Sequence, residues 1–191
     1  MLLETVLGII KHFNISNTDA KTKFHDKHRQ MLRAGNMDAR YNDDCIFTPE
    51  VVVFKTDAAE PKVMDENDWY LVDVITCAAP NLREQPSNAM NPYSGNKQVR
   101  LSEKELLELH MKRIKRILSI AQKEGEEVLI LGAFGCGAFC NPPRVVAEAM
   151  ARVIREFQYD FLTIEFAVYC TPRDTRNFDE FNRRLGKGNG K

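Results

Sequence analysis

The segment Val128-Leu-Ile-Leu-Gly-Ala-Phe-Gly-Cys-Gly-Ala-Phe-Cys-Asn-Pro-Pro143 constrains the fold more than any other part of the chain. An apolar run of strand character enters a loop with glycines at 132, 135 and 137, and the Asn-Pro-Pro that closes the loop reads as a helix start. Strand, glycine loop and helix in that order present bare backbone N–H groups at a helix N-terminus. Folds make anion sites in this way, so a phosphate or diphosphate is the first ligand to consider. The spacing Gly132-x-x-Gly135-x-Gly137 excludes the G-x-G-x-x-G order of a dinucleotide-binding turn, and no Lys-Ser or Lys-Thr follows as in a phosphate-loop NTPase. A competing reading needs no ligand: the glycines make a tight turn in which strand and helix pack closely.

The flanking sequence supplies the rest of an α/β pattern. Trp69–Thr76 reads as a strand, and Ser102-Glu-Lys-Glu105 is a capping box opening a helix carried by Leu106, Leu109, Ile114, Ile117 and Ile120 and stopped near Gly125. Behind the glycine loop, Val145, Val146, Ala149, Met150, Val153, Ile154 and Phe157 form one helical stripe. Phe161–Tyr169 is a further strand, and Phe178, Phe181 and Leu185 mark a short last helix. Strands alternating with helices imply parallel strands joined by crossovers, with the loops Cys77–Asn81, Gly132–Phe139 and Cys170–Asp174 meeting at one sheet edge. Upstream, Cys45-Ile-Phe47 and Val51–Phe54 are expected as two short extended pieces on either side of Thr48-Pro49. Residues 1–40 read as helical: Leu3, Val6, Leu7, Ile10 and Phe13 fall on one face, Asn14–Asn17 interrupt, and a second helix runs from Thr18 to about Leu32, ending at Gly35. Residues 77–99 form a long Pro-, Asn- and Ser-rich loop, and the tail 186–191 is expected to be disordered.

Composition limits the partners. The chain has 191 residues, 27 Lys plus Arg against 27 Asp plus Glu, and formal net charge +0, so any anion site is local; no general attraction for nucleic acid or membrane is expected. The first ten residues lack the basic start and cleavage pattern of a targeting segment, and no apolar run approaches a membrane span. An odd number of cysteines, 5, favours reduced thiols and a cytoplasmic setting over a disulfide framework. Cys136 and Cys140 lack a second ligand pair, so no metal is expected, and no cofactor.

Three stretches together resemble the macrodomain of the microbial-type poly(ADP-ribose) glycohydrolases: Tyr41-x-Asp-Asp-x-Ile-Phe-Thr-Pro-Glu-Val-Val-Val-Phe54, Val74-Ile-Thr-Cys-Ala-Ala-Pro-Asn81, and Leu129–Pro143 with its valine- and alanine-rich helix. The resemblance implies a three-layer α/β sandwich with a mostly parallel central sheet over residues 41–185, preceded by a helical segment 1–40. It further implies a ligand, ADP-ribose or an ADP-ribosylated protein, held by Gly132, Ala133, Phe134, Gly135, Cys136, Gly137, Ala138 and Phe139, with Phe139 against the distal ribose. Asn81 resembles a family position beside the pocket, and Tyr169–Asp174 stands where the adenine side is expected. Family members also carry a triple-glycine loop followed by Gln-Glu-Glu, whose second glutamate is the general acid. Before residue 95 this chain has only Gly8 and Gly35, and no Gln-Glu-Glu. The sheet is therefore expected to be shortened on its N-terminal side, its bare edge covered by the Leu3–Phe13 stripe or by a second copy of the chain.

Individual residues carry competing readings. Phe134 suits either the loop's own core or ligand stacking; Cys136 suits a small buried residue better than a nucleophile, since no histidine is near in sequence to activate it. His12, His25, His28 and His110 are expected in solvated or capping roles, and Lys112-Arg113 with Lys115-Arg116 as a solvated helix side. Asp73 is either a satisfied core group or a residue facing the ligand. Three functions follow: an ADP-ribose-binding module without efficient hydrolysis, a glycohydrolase whose acid is another residue, or an interaction protein with a vestigial pocket.

Overall fold

The computed structural model of the chain describes residues 18–58, 60–89, 92, 94–157 and 161–186. In order these form helix α1 (Thr18–Arg33), strand β1 (Cys45–Val53), a 3-10 turn (Glu66–Asp68), strand β2 (Tyr70–Cys77), helix α2 (Glu103–Glu124), strand β3 (Val128–Gly132), helix α3 (Pro143–Glu156), strand β4 (Thr163–Ala167) and helix α4 (Arg176–Leu185). The Leu3–Phe13 stripe and residues 187–191 lie outside the described residues. No helix among the described residues is long and apolar enough to cross a membrane.

The chain divides into two compact units, one of Met1–Asp26 with Ile46–Thr76 and one of Lys27–Cys45 with Cys77–Lys191. In the larger unit β3 and β4 pair in parallel, Leu129 opposite Ile164 and Leu131 opposite Phe166. Parallel neighbours require a crossover, and α3 provides it. Its first turn holds Pro143, which needs no N–H partner there, and its stripe Val145, Val146, Ala149, Met150 and Val153 is buried. α3 packs against both α2 and α4, with Leu106, Ile114 and Leu118 of α2 and Phe181 of α4 completing the core. The Phe166 and Phe181 rings meet at 5.9 Å between centroids. Along β3 the strand period of two separates Leu129, 8% exposed, from Val128 and Ile130, 56% and 69% exposed.

α2 is delimited as its sequence demands. The Ser102 hydroxyl accepts from the Glu105 N–H while the Glu105 carboxylate accepts from the Ser102 N–H at 2.7 Å, and Gly125 ends the helix at φ 83°. Gly35, at φ 71°, follows α1 in the same way, with Asn36 N–H bonded to Met31 O.

The smaller unit corrects two expectations. β1 runs unbroken through Thr48-Pro49 instead of splitting into two pieces. Glu50 absorbs the irregularity at φ 55°, and its N–H donates to the Asp73 carboxylate at 2.7 Å. Asp73 is thus a strand residue satisfied by backbone, on an exposed position. β2 pairs with β1, so the described strands form two two-stranded sheets in place of three successive crossover strands in one. β1 is the nearest extended segment in sequence, and closing a short connection costs less chain entropy than closing the long one to β3.

Ser102→Ala should remove the hydroxyl that accepts from the Glu105 N–H, leave the backbone N–H bond to the Glu105 carboxylate available, and lower stability by about 1 kcal/mol. Thermal or urea unfolding of the variant against the parent checks this.

Candidate functional site

Residues 133–141 leave β3 in two successive turns, Cys136 N–H to Ala133 O and Cys140 N–H to Gly137 O, each 3.0 Å. Gly135 is the constrained glycine. It sits at φ 75°, and a Cβ there would lie 2.5 Å from Asn141 Nδ2 and 2.6 Å from Ala79 Cβ. A side chain at 135 therefore points into the loop's own support and not into the anion space. A Cβ on Gly137 meets nothing within 4 Å, and one on Gly132 makes only an ordinary contact with Ala167 O at 3.8 Å. Close packing accounts for one of the three glycines, as the ligand-free reading requires, and leaves the other two unexplained by sterics.

Asn141 organises the loop. It is 2% exposed, and its amide Nδ2 donates to Pro80 O at 2.8 Å and Gly135 O at 3.0 Å. Its backbone N–H also reaches Gly135 O, and its Oδ1 accepts from His110 Nε2 at 2.9 Å. Leu82 N–H donates to Phe139 O at 3.0 Å. These bonds join the loop after β2 to the loop after β3, as expected for two of the three converging loops. The third closes on itself through Thr171 and Asp174.

Asn81 is fully buried, and its side chain serves the loop: Nδ2 donates to Pro86 O at 3.1 Å, and Oδ1 accepts from Arg83 Nε at 3.2 Å. Its N–H reaches Ala39 O at 2.7 Å. Phe139 is half-buried, 6.0 Å from the Tyr41 ring, with the Arg83 guanidinium 5.9 Å over its face. The Tyr41 hydroxyl is 2.7 Å from Ser94 Oγ. Phe134 stands edge-on to His110 at 5.8 Å.

The supply of anion donors differs from the sequence expectation. Pro142 and Pro143 remove two N–H groups from the start of α3, and Val145 N–H turns back to Pro142 O. The loop compensates: among the described residues the N–H groups of Phe134, Gly135, Gly137, Ala138 and Phe139 make no backbone hydrogen bond.

Two residues of α2 overturn their expected roles. His110 is 0% exposed and is neither solvated nor a cap. Burial, helped by the charge of Arg113 and opposed by the bond to Asn141, pushes its imidazole down to about 4, so it is neutral, and its Nδ1 has no partner. Arg113, expected on a solvated side, is also 0% exposed. Its guanidinium donates to Ala78 O at 2.9 Å, Arg40 O at 2.5 Å and the Asp43 carboxylate at 3.2 Å. Both residues depart from expectation for one reason: polar partners far away in sequence make the inner face of an amphipathic helix polar at these two points. Lys112, Lys115 and Arg116 are exposed as expected.

The candidate acids Asp43, Asp44 and Asp73 each have a partner. Burial alone would raise Asp43, but Lys112 and Arg113 outweigh it and hold the carboxyl below its ordinary range. Asp44 lies 3.2 Å from His28 Nε2, and Asp73 holds the Glu50 N–H. The carboxyl groups of Asp38, Asp43, Glu103, Glu105, Glu148 and Asp174 are all held below their ordinary range. Burial pushes the Cys136 thiol up to about 12, which removes it as a nucleophile at neutral pH. No cluster of three or more metal-ligating side chains occurs among the described residues.

This geometry, a buried asparagine locking a glycine loop between a parallel strand and a crossover helix, is that of an α/β protein, and known structures place it more closely. Neither a protein-family model nor a curated protein matches the chain. Solved structures do. Poly(ADP-ribose) glycohydrolase from Thermomonospora curvata aligns at TM-score 0.68 and 27% identity over 87% of this chain and 54% of its own. The same enzyme bound to the inhibitor ADP-HPD aligns at TM-score 0.65 and 29% identity over 81% and 53%. The Deinococcus radiodurans enzyme in complex with ADP-ribose gives TM-score 0.64 and 27% identity over 81% and 57%. The chain is similar in fold to the microbial poly(ADP-ribose) glycohydrolases, and it spans little more than half the length of these solved chains.

Gly135→Ala should destabilise the protein by on the order of 2 kcal/mol, through positive φ and collision with Asn141 and Ala79, while Gly137→Ala stays within about 0.5 kcal/mol of the parent. Urea titration of the pair checks the contrast. Because the unfolded chain protonates His110 near pH 6.5 and the folded chain only near 4, stability should fall as pH drops through that window, by up to roughly 3 kcal/mol. In His110→Gln this part of the pH dependence should vanish, as unfolding measured at several pH values would reveal.

Proposed function

We propose that the loop 132–139 binds ADP-ribose, free or attached to protein, through its diphosphate, and that the chain hydrolyses ADP-ribosyl bonds slowly or not at all. The observation that carries this reading is the set of backbone N–H groups at Phe134, Gly135, Gly137, Ala138 and Phe139, left without backbone acceptors in a loop that Asn141 holds rigid. N–H groups fixed before binding recognise an anion without the entropy of ordering the loop at that moment. Phe139, backed by Tyr41 and Arg83, provides an aromatic wall beside them suited to a sugar face. The solved relatives support ADP-ribose as the ligand, since one is a complex with it and another holds the inhibitor ADP-HPD.

Slow hydrolysis follows from the missing acid. Glycosidic cleavage needs a carboxyl group held protonated beside the departing oxygen, and such catalysis is typically worth roughly 10²–10⁴-fold. The Gln-Glu-Glu run is absent from the sequence, and Asp43 is held ionised by Lys112 and Arg113.

Titration calorimetry should show saturable binding of ADP-ribose, tighter than that of AMP or ribose, and Asn141→Leu should weaken it at least tenfold by releasing the loop. No heat and no thermal shift at millimolar ADP-ribose would sink the binding claim. Turnover of poly(ADP-ribose) at the rate of an intact glycohydrolase would overturn the claim of slow hydrolysis, and substitution of Asp43, Asp44, Glu50 and Asp73 in turn would then identify the acid.

A further inference from the structure

Arg83 lies on the loop after β2, in the compact unit that carries the glycine loop. Its Nε donates to Asn81 Oδ1 at 3.2 Å and its Nη2 to Pro86 O at 2.8 Å, while its backbone N–H reaches the same Asn81 Oδ1 at 3.3 Å. Asn81 is fully buried, so both ends of the Arg83 side chain are tied to a fixed group. Leu82, the residue before it, donates its N–H to Phe139 O and accepts from Gln98 Nε2 at 3.1 Å. The guanidinium carbon stands over the Phe139 ring, 5.9 Å from its centre. Arg83 is thereby held against one end of the glycine loop.

The charge of this group has no counterpart in the protein. Residues 132–141 contain no charged side chain. Of the neighbouring arginines, Arg113 has the Asp43 carboxylate, Arg40 that of Asp38 at 2.7 Å, and Arg144 that of Glu103. Among the described residues Arg83 has no carboxylate within ion-pair distance; its side chain bonds only to a neutral amide oxygen and a backbone carbonyl. It is nevertheless half-buried. The N–H groups on its Nη1 have no protein acceptor and are not sealed from solvent. Partial burial of a cation without an anion is unfavourable, and a phosphate oxygen relieves it through a charge-assisted hydrogen bond suited to the planar guanidinium.

We infer that Arg83 is the cation of the diphosphate site, an assignment that rests on the reading of the loop as a diphosphate binder. The backbone N–H groups of Phe134, Gly135, Gly137, Ala138 and Phe139 supply partial charges and direction but no net charge. Arg83 supplies the full charge at the Phe139 end. A sugar against the Phe139 ring brings the phosphate joined to that sugar within reach of a guanidinium standing over the same ring. Because the guanidinium is anchored by Asn81 and Pro86, little side-chain freedom is lost when it meets the phosphate.

The test is calorimetric titration of ADP-ribose into the full chain, Arg83→Gln and Arg83→Lys, with urea unfolding to confirm that each variant is folded. The parent should bind, and raising NaCl from about 25 to about 300 mM should weaken its binding several-fold. Arg83→Gln, which keeps side-chain N–H groups but no charge, should bind at least about tenfold more weakly at low salt and lose most of the salt dependence. Arg83→Lys, which keeps the charge without the planar fork, should fall between the two and remain salt-dependent. A parent whose binding is indifferent to salt, an Arg83→Gln that binds as tightly as the parent, or an Arg83→Lys as weak and as salt-insensitive as Arg83→Gln would each overturn the assignment while leaving the loop a diphosphate site. A parent that binds no ADP-ribose overturns both. If Arg83→Gln does not fold, the salt response of the parent and the behaviour of Arg83→Lys decide the question.

Discussion

The carboxamide of Asn141 binds three separate parts of the chain with one planar group. Its N–H bonds go to Pro80 O at the end of the β2 loop and to Gly135 O at the apex of the glycine loop, and its oxygen receives the His110 N–H from α2. Each partner is buried or half-buried, so the alternative to these bonds is not a bond to water but an unsatisfied polar atom. That asymmetry lets a single side chain dictate the path of the loop. Gly135 has no Cβ because Asn141 and Ala79 occupy the place where one would stand.

Beneath the loop the core is polar, which is unusual for the inner face of an amphipathic helix. His110 and Arg113, one turn apart on α2, are both fully buried. Arg113 is compensated by a carboxylate and two carbonyl oxygens, a set that offsets much of the desolvation of its charge. His110 escapes the same problem by remaining neutral. The two solutions are complementary, since the positive charge of Arg113 itself discourages a proton on His110. Such networks hold backbone segments more firmly than apolar contacts do, because a shift of a few tenths of an ångström breaks a hydrogen bond but scarcely alters a van der Waals contact. Ala78, Pro80 and Arg40, the acceptors involved, border the segments that carry Asn81 and Tyr41.

The small sheets place limits of another kind. A parallel pair normally has both faces covered. In β3 the face bearing Leu129 is packed, while the face bearing Val128 and Ile130 remains exposed.

Most elements of this fold were legible locally. The capping box at Ser102, the terminating Gly125, the apolar stripe from Val145 to Val153 and the alternation along β3 depend on neighbours within a few residues, so sequence periodicity alone locates them. The glycine loop and its position between strand and helix were equally visible. What the sequence could not display were pairings across long separations. That β1 rather than β3 accompanies β2, that His110 reaches Asn141 and Arg113 reaches Arg40, and that Asn81 is committed to Pro86 and Arg83 depend on where loops of no fixed period bring the chain back. A buried arginine and a buried histidine look, in sequence, like any charged residues on a helix. Only the tertiary structure supplies the acceptors that make burying them tolerable, because two are backbone carbonyls, which every residue carries and no sequence pattern marks, and the other two are side chains far away in sequence.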